Sequence, residues 1–511
     1  MSKNGNQLKA GAIISYLQMG LNIVIGLVYT PIMIRLLGQS EYGLYNTVAS
    51  TVSMLSILRM GFNNSYIRYY SIYKRRNDEQ SINKLNGLFL LLFSLIGIIA
   101  FLCGIYLTFN LSLVFSLGLT PKEYEIARVL MILLTINLAL SFPMGVFANI
   151  ISAHEQFIVL KSLDIVKNVL GPLITLPLLF MGYRSITMVA VSVGVSIVVD
   201  ICYLYFVLKV LKCRFVFSIP EKDLFYDLFA FTIFIAIELI VDQINWNVDK
   251  IILARFRGTT MVAIYSVGYS LYTYYQMFSS SISGVFTPRI HSIVNSAENE
   301  EAQRVELTEL FTRVGRIQFI ILTLVSTGVI FFGEFFITNI WAGEAYKDAY
   351  FVSVLLILSS TIALIQNLGI EIQRAEFKHQ FRSIVYVFMA GINFILSIIL
   401  CKSYGAIGCA IGTALSLVLA NGLIMNIYYH KRCNIDIIMF WKEIARLSLG
   451  VIIPIISGVV IRFIIPCQNL LVYLLEILVY VIIYAISMWK IGMNEYEQEL
   501  IKKLVKKIWR L

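Results

Sequence analysis

The side chains most able to do chemistry in this sequence are three carboxylates at helical spacing within the apolar stretch 225–249. Glu238, Asp242 and Asp249, together with Asn245, have offsets of 4, 7 and 11 residues, which place all four on one helical face. Neighbouring carboxylates repel each other when both are ionised, which favours uptake of a proton or Na⁺. The spacing predicts that Glu238, Asp242 and Asp249 couple a cation. A structural salt bridge is the alternative interpretation.

A second candidate site centres on Arg59, near the middle of another apolar stretch, with Asn63 on the same helical face. An arginine at the centre of a bilayer costs at least ~2.5 kcal/mol, so it should face an interior cavity rather than lipid. The planar guanidinium matches phosphate or pyrophosphate. We predict that Arg59 and Asn63 bind substrate. The alternative is an ion pair with the acidic face that contains Glu238.

Aromatic and amide side chains supply the rest of the predicted cavity. Tyr269, Tyr272 and Gln276 follow each other at spacings of three and four residues. A tyrosine offers a flat apolar ring and a hydroxyl, which together suit sugar rings. Gln18 and Asn22 share one face of the first apolar stretch. We predict that all five line the cavity, with tight helix packing as the alternative for the tyrosines.

Long apolar helices must position these groups. The chain has 511 residues, of which 59% are hydrophobic and 14% charged, and its mean hydropathy is +0.80. A water-soluble enzyme of this composition could not cover its surface with polar groups. The sequence therefore predicts an all-α polytopic membrane protein. Fourteen apolar runs, each about one bilayer thick, lie at 10–33, 44–67, 85–109, 126–150, 160–181, 186–208, 225–249, 261–287, 317–339, 350–370, 384–401, 405–428, 444–465 and 470–489.

The basic residues indicate the orientation of these runs. With the N-terminus in the cytoplasm, 29 of the 41 lysines and arginines fall in inside segments and 8 in outside connections. This asymmetry follows the positive-inside rule and predicts that both termini are cytoplasmic. The net charge of +11 is then mainly a topology signal, so nucleic acid is not an expected partner. The amphipathic tail, 494–511, should lie on the inner leaflet.

No residue pattern predicts an enzyme or a metal site. The seven cysteines form no CxxC pair and the four histidines are dispersed. No connection between the runs is long enough to fold as a catalytic domain. We therefore expect a transport protein without a cofactor, coupled if at all to H⁺ or Na⁺.

An internal repeat predicts the domain organisation. Arg, Gly and Tyr recur at one offset of 220 residues, as Arg35 and Arg255, Gly38 and Gly258, and Tyr45 and Tyr265. Six runs separate the two copies, so the repeats have the same orientation in the membrane. Two six-helix lobes around a central cavity would allow alternating access. The predicted divisions are an N-lobe at 1–215, a C-lobe at 216–432, two further helices at 433–493 and the tail at 494–511.

The stretch Leu36–Tyr45, with the sequence LLGQSEYGLY, resembles bacterial polysaccharide (O-antigen type) flippases of the multidrug/oligosaccharidyl-lipid/polysaccharide exporter superfamily. Asn247–Leu253, which leads to Gly258, also resembles that family. The resemblance implies a MATE-like fold with a cationic central cavity in the bacterial inner membrane. It further implies movement of undecaprenyl-pyrophosphate-linked oligosaccharide repeat units to the outer leaflet. Arg59 resembles the cavity arginines of such flippases, whereas the acidic face of 225–249 departs from the pattern.

The expected function is therefore that of a lipid-linked oligosaccharide flippase for surface polysaccharide biosynthesis. Its expected partners are the lipid bilayer, the lipid-linked substrate and a polysaccharide polymerase machinery. A peptidoglycan-precursor flippase and a drug or cation antiporter of the same superfamily remain alternatives. A membrane glycosyltransferase or polymerase is the alternative from another class.

Overall fold

The structure is a computed structural model. Nearly all of the residues that it describes are α-helical, and none of them lies in a β-strand. The described residues are 3–59, 62–115, 119–217, 222–296, 299–376, 378, 380–464 and 469–508. The chain divides into two compact units. Unit 1 comprises Met1–Ser266 and Phe394–Cys409, and unit 2 comprises Val267–Asn393 and Ala410–Leu511.

The helices of the first half follow the predicted apolar runs. They are α1 (Lys3–Leu37), α2 (Gln39–Met54), α3 (Phe62–Arg75), α4 (Glu79–Phe109), α5 (Pro121–Ala153), α6 (Phe157–Phe180), α7 (Ser185–Tyr205), α8 (Lys222–Arg257) and α9 (Thr259–Ser296). A 3₁₀ turn, Leu55–Arg59, extends α2. This turn carries Arg59 at its last position.

The second half continues in the same way. Its helices are α10 (Glu300–Phe335), α11 (Asp348–Ile365), α12 (Leu368–Ala375), α13 (Gln380–Leu417), α14 (Met425–Arg432), α15 (Ile437–Ile464), α16 (Leu470–Ser487) and α17 (Glu495–Ile508). At Gly405, with φ 57° and ψ −130°, the chain kinks inside α13. The part of α13 before the kink contains the predicted run 384–401, and the part after it contains the beginning of the run 405–428.

The predicted fold class, an all-α polytopic membrane protein, is confirmed. Ten helical stretches of the described residues are long and apolar enough to cross a bilayer, and the one over Gln380–Arg432 holds two predicted runs. Runs 225–249 and 261–287 also fall on single helices, and the described residues of run 44–67 are divided between α2 with its 3₁₀ turn and α3. Large apolar side chains point outward, as at Phe463, which is 92% exposed. An apolar exterior of this kind suits lipid rather than water.

Close packing of α4 against α5 forms the core of unit 1. A Cβ built at Gly97 of α4 would lie 2.6 Å from the carbonyl oxygen of Ala139 on α5, and one at Gly104 would overlap Thr135. Glycine is therefore needed at both positions for the two helices to approach this closely. The rings of Phe89, Phe93 and Phe142 are buried beside this contact, and so are those of Phe62 and Tyr66. The packing fixes α5, which carries part of the candidate site.

Two glycines of the internal repeat end long helices in the same way. Gly38 separates α1 from α2 with φ +79°, and Gly258 separates α8 from α9 with φ +84°. This left-handed backbone conformation favours glycine. The same offset of 220 residues relates two contacts. Glu41 accepts a hydrogen bond from Ser185, and the residues 220 positions later, Met261 and Gly405, are also close, with Met261 Sδ 3.4 Å from a Cβ built at Gly405. The lobe boundaries at 215 and 432 remain predictions.

Candidate functional site

Arg59 lies in unit 1 between α2 and α3, with its guanidinium against α5. Its Nη2 donates to Ser141 Oγ at 3.3 Å, and its Cζ lies 5.3 Å from the centroid of the Phe142 ring. The buried Nε has no hydrogen-bond partner among the described residues. The Phe142 ring makes a cation–π contact with the Arg59 guanidinium, while the Nε–H group of Arg59 has no described acceptor. A ligand with phosphate oxygens could use this capacity.

None of the described carboxylates forms an ion pair with Arg59. The side chains of Glu238 and Asp242 lie outside the described residues, although the backbone of α8 that bears them is described. Their predicted role in cation coupling therefore remains a prediction. So does the alternative of an ion pair between Arg59 and the acidic face of α8.

Asn63, four residues after Arg59, faces the same helix α5. Asn149 Nδ2 donates to Asn63 Oδ1 at 2.9 Å, and both side chains are half-buried. Ser141, Gly145 and Asn149 are four residues apart and so share one face of α5. A Cβ built at Gly145 would meet no atom within 4 Å, so open space lies above this glycine. Arg59 and Asn63 thus stand beside an unfilled space that α5 helps to line.

Sequence reasoning missed Ser141, Gly145 and Asn149. Their spacing of four residues in the run 126–150 was the available signal, but each residue is small or neutral and none has a cost in lipid comparable to that of an arginine. The start of α5 is well defined. Thr120 and Glu123 form a reciprocal capping box there, and Pro121 occupies the first helical turn.

The predicted cavity residues of the first run form a second amide pair in unit 1. Asn168 of α6 donates to Asn22 Oδ1 of α1 at 3.0 Å. Gln18 lies one turn before Asn22 and is half-buried. The structure thus gives Asn22 a partner across the contact between α1 and α6. Ligand binding by Gln18 and Asn22 remains a prediction.

Asp249 is held by two hydroxyl groups at one end of α8. Tyr265 Oη donates to it at 2.7 Å and Ser397 Oγ at 2.8 Å, and only 1% of Asp249 is exposed. These bonds connect α8 to α9 and to the unit 1 segment of α13. The arrangement is typical of a structural carboxylate that joins α8 to α9 and α13. The predicted coupling role of Asp249 stays a prediction.

Tyr269, Tyr272 and Gln276 belong to unit 2, whereas Arg59 and Asn63 belong to unit 1. The Tyr269 and Tyr272 rings lie 5.7 Å apart, with Tyr272 buried and Tyr269 half-buried. Gln276, further along α9, is also half-buried. Both tyrosines can therefore contribute to helix packing, and their predicted binding of sugars remains a prediction.

Arg316, on the long helix α10, has very different surroundings from Arg59. Arg316 of α10 is 4% exposed, and its Nε and Nη2 donate to the two carboxylate oxygens of Glu497 at 2.6 and 3.0 Å. Its Nη1 donates to Glu443 at 3.1 Å, and its Nη2 also donates to the Gly492 carbonyl. A bidentate pair of this kind is among the strongest hydrogen-bonded contacts in proteins. It fixes the start of α17 against α10 and α15.

A carboxylate at the start of α2 belongs to the family-like stretch Leu36–Tyr45. Glu41 is buried and accepts from the backbone N–H of Ser185 at 3.0 Å and from its hydroxyl at 2.6 Å. The half-exposed Arg184 donates to the other carboxylate oxygen at 2.9 Å. Glu41 therefore satisfies the first turn of α7. The stretch that carries the resemblance has a structural task in unit 1.

An apolar groove of about 270 Å³ runs along unit 2 between α9, α10 and α16. Its lining includes Leu271, Val325, Gly328, Phe332 and Ile477. The lining is almost wholly carbon, so the groove has little to offer a polar ligand. It is suited to a hydrocarbon chain.

The fold is similar to that of several solved transport proteins. "Lipid II flippase MurJ, inward closed conformation" matches with a TM-score of 0.72 and 16% identity, covering 96% of this chain and 99% of that one. An inward-facing multidrug resistance MATE family transporter of the MOP superfamily matches with a TM-score of 0.64 and 13% identity, covering 82% and 99%. The MATE multidrug transporter DinF-BH matches with a TM-score of 0.53 and 19% identity, covering 85% and 96%.

These relations confirm the predicted MATE-like fold and the multi-pass membrane character. The prediction that the chain is not an enzyme agrees with neighbours that are titled a flippase and transporters. No curated protein matches the chain. The family resemblance seen in Leu36–Tyr45 is confirmed by a family model. That model, described as "Polysaccharide biosynthesis protein", matches residues 8–294, more than half of the sequence, and the chain therefore belongs to this family.

Proposed function

We propose that the protein moves undecaprenyl-pyrophosphate-linked oligosaccharide repeat units from the inner to the outer leaflet for surface polysaccharide biosynthesis. The observation that carries the proposal is Arg59, a cation within the predicted apolar run 44–67 that has an unused buried donor and no described carboxylate partner. Pyrophosphate is the part of such a substrate that needs a guanidinium in a membrane. Membership of a polysaccharide biosynthesis family supports this substrate class.

The apolar groove in unit 2 supports a lipid-linked substrate. A polyprenyl chain must stay in an apolar environment while its pyrophosphate and sugars cross the bilayer. A groove between α10 and α16 with an almost wholly carbon lining suits such a chain. The substrate would then have separate sites for its apolar and anionic parts.

The proposed mechanism is alternating access of two lobes in the bacterial inner membrane, with both termini in the cytoplasm. The proposed coupling ion is H⁺ or Na⁺, taken up by Glu238, Asp242 and Asp249. A cavity that opens first inward and then outward would carry the headgroup past the bilayer centre. Transport that is unchanged in both Glu238→Gln and Asp242→Asn would contradict the coupling role.

A second candidate function is movement of a peptidoglycan precursor. The observation that favours it is the fold likeness to a lipid II flippase over 96% of this chain. Both candidates need a site for pyrophosphate and a groove for a polyprenyl chain. They differ in the glycan that the carrier bears.

Deletion of the gene followed by analysis of lipid-linked sugars tests the proposal. We expect one complete oligosaccharide repeat unit to accumulate on the inner leaflet, with restoration by the wild-type gene and not by Arg59→Gln. Accumulation of a peptidoglycan precursor instead would favour the second candidate. If no lipid-linked intermediate accumulates and surface glycan is unaltered, the proposal is wrong.

A further inference from the structure

The segment 211–217, here called the strap, follows α7 and packs against the first turns of α4 and the end of α5. Two hydrogen bonds fix its backbone to α4. The N–H of Val216 donates to the carbonyl oxygen of Asn83 at 2.9 Å, and Asn86 Nδ2 donates to the carbonyl oxygen of Arg214 at 3.2 Å. All of these residues belong to unit 1, so the strap is a fixed part of that unit.

Consecutive side chains of the strap point alternately into unit 1 and away from it. Cys213 Sγ lies 4.0 Å from His154 Nε2, and Phe215 packs against the buried core of α3, α4 and α5. Lys212 and Arg214 are both exposed. The inward contacts of Cys213 and Phe215 therefore hold two cations at the surface of unit 1.

Two further cations lie beside the strap. Lys84 directly follows the α4 residue whose carbonyl oxygen accepts from the strap backbone. Lys74 Nζ lies 5.5 Å from the centroid of the Tyr70 ring, and the Tyr70 hydroxyl is 3.1 Å from the same His154 nitrogen that the strap contacts. Lys74 and Lys84 are both exposed. Basic side chains from α3 and α4 thus adjoin those of the strap.

This end of unit 1 has more cations than carboxylates. We call its exposed basic residues the strap surface, and they are Lys74, Arg75, Arg76, Lys84, Lys209, Lys212 and Arg214. None of them forms an ion pair with a carboxylate among the described residues. The carboxylates nearby in the chain are Asp78, Glu79 and Glu155, and Asp78 is engaged with Ser81 at the start of α4. An excess of unpaired cations creates a positive potential that attracts anions.

The strap surface lies where predicted apolar runs begin and end. Lys84 directly precedes the run 85–109, and Lys209 directly follows the run 186–208. Phe217, at the end of the strap, is 63% exposed. Lysine and arginine at the ends of apolar runs, next to exposed aromatic side chains, are typical of the headgroup level of a bilayer. The cations are therefore at the depth of lipid phosphates.

We infer that the strap surface binds the phosphate groups of anionic phospholipids in the adjoining leaflet. Free phosphate would use only the cations, whereas a lipid also covers the exposed apolar side chain at the end of the strap. A zwitterionic lipid carries its own ammonium group, so an excess of protein cations favours a headgroup with net negative charge. This site is separate from the proposed transport site and does not depend on the proposed function.

The test uses purified full-length protein in phosphatidylcholine nanodiscs that contain a small fraction of photoreactive lipid. Labelling of peptides that include the strap is measured by mass spectrometry. We expect photoreactive phosphatidylglycerol to label them at least about tenfold more than photoreactive phosphatidylcholine. The ratio should fall to about one in a variant that combines Lys74→Gln, Lys84→Gln, Lys212→Gln and Arg214→Gln. It should be retained in a control variant that loses four exposed cations elsewhere, through Lys431→Gln, Arg432→Gln, Lys442→Gln and Lys490→Gln.

Gly87→Ala tests the position of the strap without changing any charge. A Cβ built at Gly87 would overlap the carbonyl oxygen of Val216, so the alanine must displace the strap from α4. The labelling ratio should fall, whereas Gly194→Ala, at an exposed position where a Cβ meets no atom within 4 Å, should retain it. Thermal unfolding verifies that each variant is folded. Asn86→Ala, which removes the hydrogen bond to the Arg214 carbonyl, replaces Gly87→Ala if the latter is not folded.

Three results would overturn the inference. The first is equal labelling of the wild-type strap by the two photoreactive lipids. The second is a preference for phosphatidylglycerol that survives loss of the four cations of the strap surface, or that is lost equally in the control variant. The third is suppression of the labelling by inorganic phosphate as effectively as by vesicles of unlabelled phosphatidylglycerol, which would identify free phosphate as the ligand.

Discussion

Arg316 lies on the long helix α10, one residue before the predicted run 317–339, whereas Arg59 lies within the predicted run 44–67, and the two arginines differ in how many of their donors the protein satisfies. Arg316 donates to two carboxylates and to two backbone carbonyls. Arg59 makes one long hydrogen bond to a serine hydroxyl, contacts one aromatic ring and leaves Nε without a described partner. The first residue is part of a closed ionic cluster in unit 2, and the second is an open cation in unit 1.

The difference separates a structural charge from a binding charge. A buried ion pair is costly to break because the remaining partner is left without compensation. Removal of an incompletely paired cation such as Arg59 should cost little stability, because it leaves no buried carboxylate behind among the described residues. Stability should therefore depend on Arg316, and transport on Arg59.

The largest effect on stability is expected for Arg316→Leu. The substitution leaves Glu497 buried without its bidentate partner and should destabilise the protein by about 3–5 kcal/mol. Thermal unfolding of the purified protein in detergent measures the effect as a large drop in Tm or a loss of folded yield. A Tm equal to that of the wild type would show that the cluster around Arg316 contributes little to the fold.

The largest effect on transport is expected for Arg59→Gln. Loss of charge-assisted hydrogen bonds to pyrophosphate is worth about 1.5–3 kcal/mol, or roughly 10- to 150-fold in affinity. Binding of the pyrophosphoryl lipid should fall by that factor while Tm stays near the wild-type value. Arg59→Lys should restore part of the binding, since it keeps the charge but loses the planar fork. A drop in Tm comparable to that of Arg316→Leu would remove the distinction between the two arginines.

An intermediate case is the pair formed by Glu41 and Arg184. Glu41→Ala leaves the buried N–H and hydroxyl of Ser185 without an acceptor and should cost about 1–3 kcal/mol. Arg184→Ala removes only a half-exposed partner and should cost about 0.2–1 kcal/mol. Unfolding of the two variants under the same conditions should show the larger loss for Glu41. The reverse order would mean that the salt bridge, and not the contact with Ser185, holds this corner.

The smallest effect is expected for Glu499→Gln on α17. Glu499 pairs with Lys503 at 3.4 Å on an exposed helix surface, an interaction worth about 0.3–0.5 kcal/mol. Glu499 lies on the same helix as Glu497, so it is the matched control for the Arg316 cluster. A Tm shift beyond a degree or two would show that α17 as a whole, rather than its buried carboxylate, stabilises unit 2.

The sequence predicted the apolar helices well, because a bilayer demands long apolar runs and these are visible in any single chain. Gly38 and Gly258, which the sequence showed as matching positions of a repeat, lie in the structure between long helices, each with a positive φ. Arg59 was found because an arginine in an apolar run is costly. The apolar runs and the cost of Arg59 are both signals that come from residues close together in the chain.

The partners of the site could not be predicted in the same way. Ser141 lies 82 residues from Arg59, and Asn149 lies 86 residues from Asn63. Their side chains are neutral and carry no cost that marks them in the sequence. The tail shows the same limit: its amphipathic pattern indicated a helix, but only the tertiary structure gives Glu497 its bidentate contact with Arg316, 181 residues away.

The most direct test of the central claim is the translocation rate of a fluorescent polyprenyl pyrophosphoryl oligosaccharide in proteoliposomes, normalised to folded protein. Wild-type protein, Arg59→Gln and Glu499→Gln are compared once thermal unfolding has shown that the three have similar Tm values. We predict that Arg59→Gln slows translocation at least about tenfold while Glu499→Gln equals the wild type. Translocation by Arg59→Gln at the wild-type rate would contradict the assignment of Arg59 as the pyrophosphate-binding cation.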